Sequence, residues 1–130
     1  YHSQTANNYL ARLITWLGET LFCLGNIELA EEVAKTVIKK TTAYDEQVNL
    51  AWAECLLAEI LINKRDDVES ENLLQKIYHV AKKHQLLPLM AEYYKLTAQL
   101  AHTQNDETKF NYYRQKANQL FEEMQIKDKI

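Results

Sequence analysis

Only two glycines, one proline and two cysteines occur among the 130 residues. So few turn formers exclude a β-sandwich or barrel, which would need turn signals after each of its many short strands. With Gly18 and Gly25 as the only glycines, neither a G-x-x-x-x-G-K-[ST] nor a G-x-G-x-x-G phosphate loop can be written. Cys23 and Cys55 lie inside apolar runs and not in a framework of paired spacings. That usage predicts buried or half-buried thiols in a reducing, cytosolic compartment. No long hydrophobic run exists either: the most apolar stretch, Leu10 to Leu24, is broken by Arg12, Thr15, Glu19 and Thr20. This excludes a transmembrane span, which needs about 20 apolar residues. The chain begins at Tyr1 and shows no basic, apolar and small-residue succession of a signal peptide, so it is expected to be a piece of a longer protein. A charge of −3 (15 Lys and Arg against 18 Asp and Glu) provides no basic field, and neither nucleic acid nor a membrane surface is an expected partner.

What the chain does contain is Ala, Leu, Glu, Gln and Lys, the strong helix formers, with 47% of residues apolar. The fold class is therefore all-α, and a domain of this size needs no disulfide or metal to hold it. Slid against itself, the chain matches at an ungapped 40-residue offset: Leu10 with Leu50 and Met90, Ala11 with Ala51 and Ala91, Gly18 with Ala58 and Ala98, Gly25 with Arg65 and Asn105, and Asn26 with Asp66 and Asp106.

Each row holds two amphipathic segments. In the first row, Leu10, Leu13, Ile14, Leu17, Leu21 and Leu24 form one apolar stripe, expected to be buried. Its partner starts after Asn26 and buries Ile27, Ala30, Val33, Ala34, Val37 and Ile38. The second row repeats this with Leu50, Ala53, Leu57, Ile60 and Leu61, then Asp66 and Asp67 as cap candidates, then Val68, Leu73, Leu74, Ile77, Tyr78 and Ala81. The third uses Met90, Tyr93, Tyr94, Leu100 and Ala101, then Asn105 and Asp106 at the turn, then Phe110, Tyr113, Ala117, Leu120, Phe121 and Met124. Thr41, Thr42 and Asp45 offer a start for the third helix, and Pro88 fits the first turn of the fifth. Six helices in three hairpin rows, about 7–46, 47–86 and 87–126, are expected to stack as an α-solenoid in a single domain, 1–130, with closure into a six-helix bundle as the alternative.

No catalytic or metal constellation emerges. His79 and His84 are five apart, about 140° around a helix, and do not share a face. His102 and Asp106 span a hairpin turn, where Asp106 is better explained as a cap than as the orienter of a base. Neither Cys23 nor Cys55 has a basic neighbour in sequence to activate it. No catalytic residue, cofactor or metal ligand is assigned, and the chain is expected not to be an enzyme.

Leu17-Gly18, Leu21, Gly25-Asn26, Ala30 and Ala34 make a pattern that resembles the tetratricopeptide repeat, with a period of 40 in place of the usual 34. The runs Ala51-Trp52-Ala53-Glu54-Cys55-Leu56-Leu57-Ala58-Glu59-Ile60-Leu61, Asp67-Val68-Glu69-Ser70-Glu71, Leu86 to Ala91 and Leu120 to Met124 are similar to the C-terminal helical arms of bacterial class III adenylyl or guanylyl cyclases and regulatory ATPases. The chain departs from that pattern at Arg65 and Asn105, where glycine is usual, and at Phe110, where a small residue is usual. The resemblance implies a regulatory or scaffolding arm that docks a protein, a peptide or another domain of its own chain; homodimerisation and ligand sensing are the alternatives.

In such a solenoid the first helix of each row lines the concave face. The candidate groove is then Arg12, Thr15, Glu19 and Phe22 in the first row, Trp52, Cys55, Glu59 and Ile62 in the second, and Glu92, Lys95, Gln99 and His102 in the third. Each quartet is spaced i, i+3, i+7, i+10, and Trp52 is the expected anchor.

Overall fold

The computed structural model describes residues 2–43 and 46–129, with side chains for 10–41 and 46–125. Six α-helices and no strand occur among them: α1 (His2–Cys23), α2 (Ile27–Ala43), α3 (Gln47–Asn63), α4 (Asp67–Lys83), α5 (Leu87–Thr103) and α6 (Glu107–Lys129). Helix packs on helix, α1 with α2, α4 with α5, and α5 with α6.

The helices after α1 begin at residues 27, 47, 67, 87 and 107, so the 40-residue row consists of two halves of 20. The same backbone joint recurs at four of these steps among the described residues, and its five-back bond at all five. Asn26, Glu46, Asp66, Leu86 and Asp106 each donate their N–H to the carbonyl five residues back, on Leu21, Thr41, Leu61, Ala81 and Ala101. Gly25, Arg65, Gln85 and Asn105 donate three residues back and take φ of 88°, 63°, 52° and 60°. This is the Schellman closure, which needs one left-handed residue. The residue that closes one helix also opens the next, since Asn26, Glu46, Asp66, Leu86 and Asp106 accept the first helical N–H from Ala30, Leu50, Ser70, Met90 and Phe110. Arg65 and Asn105, where glycine is usual in the repeat pattern, thus keep the glycine conformation.

Side chains cap the joints at Asp66, whose Oδ1 accepts from the Glu69 N–H at 3.3 Å, and at Asp106, whose Oδ1 accepts from the Lys109 N–H at 3.1 Å. Pro88 sits in the first turn of α5, where its missing N–H costs nothing. The expected start of α3 at Thr41 and Thr42 is corrected, because α2 runs on through both to Ala43. The 20-residue spacing sets that end more strongly than the weak helix preference of two threonines. Asp45 lies outside the described residues.

The chain divides into two compact units, Tyr1–Ile60 and Leu61–Ile130, with the division inside α3. In the first unit the core is Thr15 and Gly18 of α1, Ala30, Ala34 and Val37 of α2, and Ala51 to Ile60 of α3 except the half-buried Trp52 and Glu59. A Cβ added at Gly18 would lie 2.6 Å from Leu56 Cδ2 and 3.1 Å from Val33 Cγ1, so only glycine allows α1 this close to both neighbours. The leucine stripe expected to be buried points elsewhere: Leu10, Leu13, Leu17 and Leu24 are exposed, while Ile14 and Leu21 are half-buried. The small-residue side of α1 takes the core because backbones approach closest there. Cys55 is buried, but Cys23 is exposed, a second correction.

In the second unit Ser70, Leu73, Leu74, Ile77 and Ala81 of α4 and Leu89, Ala91, Leu96, Thr97, Ala98, Leu100 and Ala101 of α5 are buried, with Ala117 of α6. Val68, expected in the core stripe of α4, is exposed in the first turn of that helix. A tyrosine series crosses the three helices, with ring centroids at 5.1 Å for Tyr78 and Tyr93, 5.4 Å for Tyr93 and Tyr94, and 6.0 Å for Tyr94 and Tyr113. Burial, helped by the neighbouring phenols, raises the Tyr93 pKa.

Candidate functional site

The expected groove residues of the first unit do not share one environment. Arg12 and Trp52 meet: the guanidinium carbon lies 4.8 Å from the Trp52 ring centroid and 5.2 Å from that of Trp16, one turn along α1. The arginine therefore lies within cation–π reach of indoles on two helices. Its Nη1 is buried with no hydrogen-bond partner, while Trp16 is half exposed. A guanidinium nitrogen that has lost water and gained no acceptor costs about 1–3 kcal/mol, more for a charged group. This is the most polarised unmet demand among the described residues, and its natural answer is a carboxylate or carbonyl oxygen.

Thr15 is part of the core, its hydroxyl donating to the Ala11 carbonyl at 2.8 Å. Cys55 and Ile62 are likewise buried, so these three side chains serve packing and offer nothing at the surface. Phe22 and Glu59 are half-buried, and Glu19 is exposed. Trp16 is a residue that stripe reasoning misses. It stands off the i, i+3, i+7 stripe, and its one signal in the sequence is an i, i+4 spacing from Arg12, the reach of a helical cation–π pair.

In the second unit Lys95 pairs with Glu92 at 3.0 Å along α5, which satisfies both charges within the chain. Gln99 is half-buried, and His102 is exposed with its ring 5.1 Å from Phe110. These residues carry no unmet demand comparable to Arg12. His102 and Asp106 form no base pair; Asp106 caps α6. Among the described residues no group of three or more His, Cys, Asp or Glu side chains could hold a metal ion, and no helix is long and apolar enough to cross a membrane.

Compared with known proteins, the chain matches no family model, no curated protein and no solved structure.

Proposed function

We propose that the chain is a non-catalytic interaction module, a stack of helical hairpins that docks a peptide, helix or partner domain and serves a larger cytosolic signalling protein as a regulatory arm. The observation that carries this reading is the Arg12 guanidinium held against Trp16 and Trp52 with a buried nitrogen lacking an acceptor. Aromatic and arginine side chains are the residues that most often anchor interfaces. The recurrence of one joint at a 20-residue spacing supports the hairpin-repeat architecture, in which such surfaces are displayed on rigid helices. The docked segment supplies an oxygen acceptor to Arg12 and apolar surface to Trp16. Docking to a neighbouring domain would regulate it only through unequal affinity for that domain's two states.

Selection from a displayed peptide library tests this. The native chain should enrich sequences with a carboxylate beside an aliphatic or aromatic residue, and the Arg12→Ala, Trp52→Ala double variant, still helical by circular dichroism, should not. Equal enrichment by both would remove the site, and turnover of any substrate by the isolated chain would overturn the non-catalytic reading.

A further inference from the structure

The outer stripe of α1 behaves unlike its counterparts one and two rows on. Leu17 is 54% exposed, whereas Leu57 and Thr97 at the same register are 9% and 7% exposed. Trp16 is 50% exposed, against 3% for Leu56 and 0% for Leu96. Thr20 is exposed where Ile60 and Leu100 are buried. The sequence at these positions remains apolar in α1, with Leu10, Leu13, Leu17 and Leu24 spaced 3, 4 and 7 apart, the seam of a helix–helix contact.

For α5 a neighbour at this register is known. Helix α4 lies against it, antiparallel after a three-residue joint, and the Tyr78 ring lies tilted at 48° to that of Tyr93, the register counterpart of Leu13, with centroids 5.1 Å apart. The side chains α4 buries are Ser70, Leu73, Leu74, Ile77 and Ala81. We infer that the outer stripe of α1 is the docking surface for one amphipathic helix, antiparallel to α1, carrying a small-and-aliphatic stripe of the kind that α4 buries. The area favours a single helix over a second copy of the chain. Among the described residues Leu10, Leu13, Trp16, Leu17 and Leu24, between 49% and 77% exposed, offer on the order of 550 Å², short of the roughly 800 Å² that each partner of a stable dimer buries. A patch of that size on a monomer is commonly functional. Trp16 borders both this surface and the Arg12 contact, whereas Leu13 and Leu17 belong to this surface alone.

The test uses the full chain and a synthetic peptide of residues 67–83, stapled between the exposed positions 75 and 79 so that it is helical before binding. Fluorescence anisotropy should show saturable binding. Leu13→Glu or Leu17→Glu in the chain, and Leu74→Glu in the peptide, should each weaken it at least tenfold. Arg12→Ala should change it less than twofold, which separates this surface from the proposed carboxylate site. No binding up to about 1 mM peptide, or binding that both α1 variants leave intact, overturns the inference. So does a dimer in sedimentation that Leu17→Glu dissolves, because the occupant is then a second copy.

Discussion

Helices α1 and α5 begin their rows alike and end them in the same Schellman joint, yet one keeps its leucines in water and the other keeps its aliphatic residues dry. The difference lies in what stands beside each helix and not in its own pattern. Burial in a repeat is a property of neighbours: a residue is in the core when packed side chains cover its side of the helix, and the same register position is surface when none does. Leu17 and Leu57 make the contrast sharpest, being the same residue at the same place in the repeat.

That pair supplies the largest expected effect. Leu57→Ala should cost about 3 kcal/mol, as other core leucine truncations do, and Leu17→Ala within about 0.5 kcal/mol of nothing. Urea unfolding of the two variants reads this directly, and equal losses would mean that the α1 stripe is covered in solution. Next comes Gly18→Ala. The added methyl meets Leu56 and Val33, and a penalty of roughly 1–3 kcal/mol for overpacking outweighs about 1 kcal/mol of improved helix propensity. A net loss of about 1 kcal/mol is expected, and a gain would show that Leu56 swings aside freely.

The joints offer a smaller contrast. Gly25 has open space around its missing Cβ, so Gly25→Ala should cost about 0.5 kcal/mol, the left-handed backbone penalty of about 1 kcal/mol less the gain from a stiffer unfolded chain. Gln85→Gly should instead stabilise by about 0.5 kcal/mol, since that penalty is already present at φ 52° and relief is partly offset by the freer unfolded chain. Thermal melts of both variants order them. The smallest effect is in pH. With the Tyr93 pKa raised by burial, the unfolded chain releases the phenolic proton first. The stability this contributes is complete below the ordinary tyrosine pKa of about 10 and is lost as pH rises through the folded value. The melting temperature should therefore decline more steeply above about pH 10 in the native chain than in Tyr93→Phe.

Much of this fold is legible from residue spacing. The 40-residue offset and the joints near 25, 65 and 105 show in the sequence because Asn26, Asp66 and Asp106 and the alanines of the first helices recur visibly. The 20-residue half-period does not show, because Gly25, Arg65, Gln85 and Asn105 share a backbone conformation and no side-chain chemistry. The core face of α1 escapes periodicity for a related reason. Periodicity finds the most apolar stripe, whereas the close approach at Gly18 decides which side faces α2 and α3. Of the candidate site, Arg12 and Trp52 are within reach of stripe reasoning. Thr15, Cys55 and Ile62 lie on the same stripes and go inside, since a stripe says which residues are collinear and not how deep they lie.

The shared joint also constrains how such a chain can change in length. Asn26, Glu46, Asp66, Leu86 and Asp106 are each the last link of one helix and the first of the next, with no spare residue between the two roles. A single inserted residue there would unmake two helix ends at once, whereas adding or removing one whole helix together with its joint would leave every remaining joint intact. Length in this architecture is counted in whole helices, and a gene encoding it is expected to tolerate duplication more readily than drift.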